Sequence, residues 1–225
     1  MNHPSGEFQE VAQNGRYLMA LHSSSETLGV AVEDLSDDSP CPRVATFSEG
    51  RRLSSSLLRC VQDVLPASSW SNLRHIAVAI GPGGFTGTRL TVVMARTLAQ
   101  QLDCPLLGVS SFALMAARLS ASLTDQQLQH PFWVVKPLVR RGTVAGRYRL
   151  TGLSSSRGRE RVEELEAPHL LGADREISPI LEASDDVESD VRRLLELCAE
   201  SHLGMKKDPW REVLPVYPTS PVGSI

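Results

Sequence analysis

The chain reads as an α/β protein whose first half follows the order βββαβαβα. Three observations carry that reading. Short strand-like runs separated by turn residues open the chain. Leucine and valine then recur at helical spacing over residues 53–65. Residues 75–80 form a run apolar on both faces that passes through a glycine-rich turn into a second helical pattern.

Taken in order, Tyr17-Leu-Met-Ala-Leu-His22 and residues 28–32 flank the turn-rich Ser23-Ser-Ser-Glu-Thr27 and read as a hairpin; residues 43–48 continue the meander as a third strand. In the first helix Leu53, Leu57, Leu58, Val61, Val64 and Leu65 share one side, and Pro66 ends it because it has no N–H to continue the ladder. The strand 75–80 has too many apolar side chains for a solvated face, which predicts a central position. The helix predicted over 88–102 is apolar almost all round, through Leu90, Val92, Val93, Met94, Ala95, Leu98, Ala99 and Leu102, so it needs two partners. Residues 105–109 form a fifth strand, and Ser110 or Ser111 can cap a helix over 112–119.

The second half is less patterned. Residues 132–135 and 144–150 read as strands around a turn at Arg140-Arg141-Gly142, and the acidic stretch 160–166 as a helix start or loop. Val187, Val191, Leu194, Leu195, Cys198 and His202 mark a further helix, with Gly204 as its stop. Prolines extend the tail at 213–218. This divides the chain at 16–120 and 121–225, the C-terminal helix being free to pack back on the first part.

Composition excludes several classes of function. A chain of 225 residues can bury a full core without a metal or disulfide staple. No apolar run reaches the ~20 residues a bilayer helix needs, since Gly81-Pro82 interrupts the best one. The start lacks the positive charge and apolar segment of an export signal, so a cytoplasmic location is expected. Cys41, Cys60, Cys104 and Cys198 form no CxxC pair and are read as reduced, packed thiols. A formal net charge of −3 argues against holding nucleic acid by global charge, although Lys136, Arg140, Arg141, Arg147, Arg149, Arg157, Arg159 and Arg161 make one locally basic stretch that could touch RNA phosphates.

The chemistry centres on Gly81-Pro-Gly-Gly-Phe-Thr-Gly-Thr-Arg89. A strand-to-helix turn is a geometry in which backbone N–H groups hold an anion, which makes Gly81, Gly83, Gly84, Thr86 and Gly87 a candidate nucleotide or anion loop. A Walker loop fails because Thr88-Arg89, not Lys-Ser/Thr, follows Gly87; GxGxxG fails because Thr86 stands at the third glycine. The competing reading is that the glycines only permit a tight turn.

That segment, its apolar helix and Pro105-Leu-Leu-Gly-Val-Ser-Ser111 resemble the GPGSFTGLR signature and following strand of the TsaB (YeaZ) family. More weakly, Val139-Arg-Arg-Gly-Thr-Val144 resembles the family's DARRGEV turn and Leu214-Pro-Val-Tyr217 its C-terminal P-x-Y-x-R. The resemblance implies an actin/Hsp70/sugar-kinase-like fold and a noncatalytic place in N6-threonylcarbamoylation of A37 in tRNAs reading ANN codons. It further implies dimerisation with a TsaD-like catalytic subunit, assistance from a TsaE-like ATPase, tRNA contact only through the complex, and a homodimer when the partner is missing. No independently bound cofactor is expected, with ATP or ADP at the subunit boundary as the family's precedent.

By the same resemblance, the partner interface falls on the two first-half helices, at Leu57, Leu58, Val61, Leu90, Val93, Met94, Thr97 and Leu98. No catalytic or metal-binding residue is expected. The six histidines contain no HxxxH pair, and where the family's first strand ends in DTS this chain has His22-Ser23-Ser24. The alternative is a small ATP-dependent phosphotransferase of the same superfamily, for which Glu26 is the nearest carboxylate to the first strand turn.

Overall fold

The computed structural model describes residues 16–36, 41–139, 141–153, 160–172, 174–204 and 209–218. Residues 1–15, Arg140, Arg157, Arg159 and Thr219 therefore lie outside the described residues.

The opening meander forms as the turn signals predict: β1 (Tyr17–His22), β2 (Leu28–Asp34) and β3 (Arg43–Phe47) pair antiparallel in sequence. Helix α1 (Leu53–Val64) leads into β4 (Leu73–Ala79), which pairs parallel to β1; helix α2 (Phe85–Leu102) leads into β5 (Leu106–Val109), parallel to β4. The sheet order is β3-β2-β1-β4-β5, so β4 lies inside the sheet as its two apolar faces require. The βββαβαβα order expected of the first half is thus observed.

Side-chain alternation in β1 divides the core. Met19 and Leu21 meet Leu57, Cys60 and Val61 of α1 and Val92 and Ala95 of α2. Leu18 and Ala20 face the other way, toward Val191, Leu194, Leu195 and Cys198 of helix α5 (Val187–Leu203), so the C-terminal helix covers the first sheet. The small residues Ala20, Ala31, Ala77 and Ala79 let that helix approach closely.

Helix α3 (Ser111–Leu119) lies between the halves. Its Leu114 joins the α5 side of the first sheet, while Phe112, Met115 and Ala116 pack on Phe132, Val134, Val144 and Tyr148 of the second. A short α4 (Asp125–Leu128), started by a Thr124–Gln127 capping box, connects to that sheet. Its strands are β6 (Phe132–Leu138), β7 (Gly142–Leu153), β8 (Glu160–Leu170) and β9 (Ile180–Glu182), in the order β8-β7-β6-β9.

Two expectations need correction. The acidic stretch 160–166 is neither a helix start nor a loop but part of β8, where Arg149 lies opposite Glu163 and Arg147 opposite Glu166. Pairing against an arginine-bearing strand outweighs the helix preference of glutamate. Helix α2 begins at Phe85 rather than Thr88, drawing Thr86 and Gly87 into its first turn. Gly204 ends α5, as its place in the sequence predicts, at φ −74°. Of the cysteines, Cys60, Cys104 and Cys198 are buried free thiols and Cys41 is exposed.

Candidate functional site

The glycine-rich turn joins β4 to α2 and is fastened on three sides. Gly81 takes φ +96°, a conformation that side chains avoid, and its carbonyl accepts from the Ser111 N–H at 2.8 Å. The Gly84 N–H donates to the Ser24 carbonyl at 2.7 Å, and the Val216 N–H donates to the Ile80 carbonyl at 2.7 Å. Thr88 Oγ1 donates to the Ser23 carbonyl at 3.3 Å. A Cβ on Gly83 would stand 2.3 Å from the Ser24 carbonyl oxygen, and one on Gly87 2.6 Å from Ser23 Oγ. Close approach to the turn at 23–25 therefore accounts for Gly83 and Gly87. Ser24 Oγ and Ser111 Oγ are hydrogen-bonded beneath them.

At the end of β1, His22 is buried with no protein hydrogen-bond partner for either ring nitrogen. Burial, with a smaller contribution from the Arg118 cation, pushes its pKa down to about 4. The imidazole is therefore neutral near pH 7 and supplies none of the negative charge that a carboxylate at this position would offer a Mg²⁺ ion.

A cavity of about 540 Å³ opens beside the turn. Gly83, Gly84 and Phe85 form one side, Phe112 its base, Lys136, Leu138, Arg141 and Val144 of the β6–β7 hairpin the opposite side, and Val216 and Tyr217 of the tail the rim. The rings of Phe85 and Tyr217 lie 5.1 Å apart. Of the candidate anion loop, Gly83 and Gly84 reach this cavity. Gly81 is buried, its Cβ direction facing the Val216 carbonyl, while Thr86 is exposed and Gly87 packs on Ser23. A second depression of about 510 Å³ beside Ser25 and Glu26 carries Asp185 and Glu188.

The helix surface differs from its expected form. Leu57 and Val61 are 8% and 0% exposed, so they belong to the chain's own core and cannot face a partner. They sit four residues apart, on the side of α1 that meets the sheet. Leu58 and Val93, in contrast, are 54% and 55% exposed. Thr97 is exposed as well, while Leu90, Met94 and Leu98 are half-buried against the core.

The basic stretch is also partly neutralised. Arg147 pairs with Glu166 at 3.5 Å, Arg149 with Glu163 at 3.8 Å and Arg161 with Glu200 at 3.8 Å. Arg175 and Arg147 lie over the Trp133 ring at 4.6 and 5.8 Å, and Glu166 joins both guanidinium groups. Among the described residues, Lys136 and Arg141 are left without a carboxylate partner. No group of three His, Cys, Asp or Glu able to hold a metal occurs among the described residues, and no described helix is long and apolar enough to cross a membrane.

Sequence reasoning did not anticipate the cavity, because its walls come from four separated segments. The one signal within reach was the tail motif Leu214-Pro-Val-Tyr217, whose last two residues form the rim.

Comparison with known proteins agrees with this architecture. A family model described as TsaD: tRNA N6-adenosine threonylcarbamoyltransferase matches residues 42–145. The tRNA threonylcarbamoyladenosine biosynthesis protein TsaB of Bacillus subtilis is 34% identical over 102 residues, 44% of this chain and 43% of that protein. Its Escherichia coli namesake is 36% identical over 78 residues, 34% of this chain and 30% of that protein. The matched stretch thus spans less than half the length of these curated relatives. Among solved structures, a Pseudomonas aeruginosa protein described as similar to peptidase YeaZ covers 91% of this chain and 100% of its own, with TM-score 0.64 and 21% identity. YeaZ from Pseudomonas aeruginosa covers 90% and 99%, with TM-score 0.59 and 21% identity. These two share the fold.

Proposed function

We propose that this chain, which resembles TsaB proteins over part of their length and shares the fold of YeaZ, is a noncatalytic scaffold subunit in tRNA threonylcarbamoyladenosine biosynthesis. In this reading it dimerises with a TsaD-like protein for threonylcarbamoylation of A37 in tRNAs that read ANN codons, and a TsaE-like ATPase joins the pair. ATP or ADP is held at the subunit boundary rather than by this chain alone, tRNA is met only through the assembly, and the setting is the cytoplasm.

The observation that carries the pairing role is the exposure of Leu58 on α1 and Val93 on α2, two helices that also share a core. Large apolar side chains more than half exposed on neighbouring helices are what a helix-to-helix interface would cover. The neutral His22 at the end of β1 supports a role without metal-dependent chemistry at that strand end. The phosphotransferase alternative has less support: the matched relatives are named for threonylcarbamoyladenosine biosynthesis, and its Mg²⁺ would have to rely on Glu26.

Val93→Asp tests the reading on a surface position, where the monomer tolerates charge; Met94, half-buried against the core, is a poorer site. Burying an unpaired carboxylate at the interface costs several kcal/mol, so affinity for the TsaD-like subunit should fall by about 100-fold or more. Leu58→Asp should act in the same direction, with the far-UV and near-UV dichroism of both monomers unchanged. Undiminished copurification of both variants would remove this helix pair as the interface.

A further inference from the structure

The cavity between the glycine turn and the β6–β7 hairpin has a chemical character that the pairing role does not use. In β6, Phe132 and Val134 lie on the face packed against α3, and Lys136 and Leu138 continue that same alternating row into the cavity. An inward row that changes from buried apolar groups to a lysine normally meets a carboxylate. Here the lysine meets open space, with Arg141 beside it and no acid among the lining residues, although the chain carries 26 Asp and Glu against 23 Lys and Arg.

The remaining walls are apolar or aromatic: Phe85, Phe112, Val144 and Tyr217. The Gly84 amide is already committed to Ser24, and Lys136 and Arg141 are the cationic side chains among the lining residues. At about 540 Å³ the volume suits a small organic ligand.

We propose that this cavity binds a small organic anion with a flat apolar body and a single carboxylate, sulfonate or phosphate group. The body lies between Phe85 with Tyr217 and the hairpin wall, and the anion is received by Lys136 and Arg141. Binding of this kind is a property of the isolated chain and does not depend on the dimerisation helices.

The probe is 8-anilinonaphthalene-1-sulfonate, an aromatic anion, with neutral N-phenyl-1-naphthylamine as its uncharged counterpart. Calorimetric titration into the full chain should give one sulfonate site. Changing Lys136→Ala and Arg141→Ala together should weaken the sulfonate by about tenfold or more, as loss of charge-assisted hydrogen bonds requires, while the neutral amine changes less than about twofold. Val139→Glu, at a rim position 89% exposed and so harmless to folding, places a carboxylate among the cations and should have the same selective effect. The proposal is overturned if the sulfonate affinity of these variants is unchanged, or if both probes weaken together. A Val93→Asp chain that loses its partner yet binds the sulfonate normally separates this proposal from the interface reading.

Discussion

Two single residues near the first-strand turn carry opposite kinds of constraint. His22 is fully buried, with a pKa of about 4 against 6.5 for a free imidazole. Because the folded value is depressed, the unfolded chain binds the proton more tightly. The neutral-imidazole contribution is therefore complete above pH 6.5 and is lost as pH falls toward 4, a change of roughly 3 kcal/mol. Urea unfolding measured from pH 7 to pH 4 should show that loss in the native chain and a smaller one in His22→Leu; equal slopes would mean that His22 is not the group being protonated. Gly83 is constrained by space instead. Its missing Cβ would strike the Ser24 backbone, which cannot rotate away, whereas a Cβ on Gly84 would come no closer than 3.6 Å to the Ser25 carbonyl. Gly83→Ala should therefore cost about 2–4 kcal/mol and Gly84→Ala under about 1 kcal/mol in chemical denaturation. Equal costs would contradict the packing account of the glycine signature.

Between elements, one ion pair adds to the apolar contact that Leu114 of α3 makes with α5. Arg118 donates through Nε to Asp190 Oδ1 at 2.9 Å and through Nη2 to Oδ2 at 3.2 Å, while Nη1 donates to Ser184 Oγ at 3.1 Å. The Asp190 side chain is 1% exposed and that of Arg118 24%. Burial raises the Asp190 pKa and Arg118 opposes the rise, so the guanidinium is what makes an ionised carboxylate tolerable there. Asp190→Asn should cost about 1–3 kcal/mol, below the range for a wholly buried pair because Arg118 can partly rehydrate. The double change Arg118→Met with Asp190→Leu should recover most of it, and a single-variant cost under about 0.5 kcal/mol would show that the pair does not hold the helices. No sequence pattern marks this pair, since its members stand 72 residues apart. Local signals did reveal β1 to β5, α1 and α5, because each has its own periodicity and its own stop. They misread β8, where glutamates become favourable only against arginines of a neighbouring strand, and it was the family resemblance, not a local signal, that put Leu57 and Val61 at an interface although the sheet claims that side of α1. The glycine motif was legible as a turn, but the tight approach of Ser23 and Ser24 that explains its composition belongs to tertiary packing.

At the scale of the whole molecule, the position of α3 decides whether the two sheets behave as one unit. Phe112, Met115 and Ala116 are buried against the second sheet, Leu114 is buried with α5 and the first, and Arg118 holds α5 from the same helix. Separating the halves would expose both sides of one nine-residue helix, which makes partial unfolding costly. The three tryptophans allow a direct measurement: Trp70 and Trp210 pack against the first-sheet core, while Trp133 is 4% exposed in the second sheet. In a Trp70→Phe, Trp210→Phe chain, fluorescence reports the second sheet and far-UV dichroism reports the whole. The two denaturation curves should coincide, and Phe112→Ala should shift both by the same amount, about 3–5 kcal/mol for a large, fully buried side chain. A fluorescence transition at lower denaturant than the dichroism change, or one moved alone by Phe112→Ala, would mean that the second sheet unfolds separately and that α3 does not join the halves.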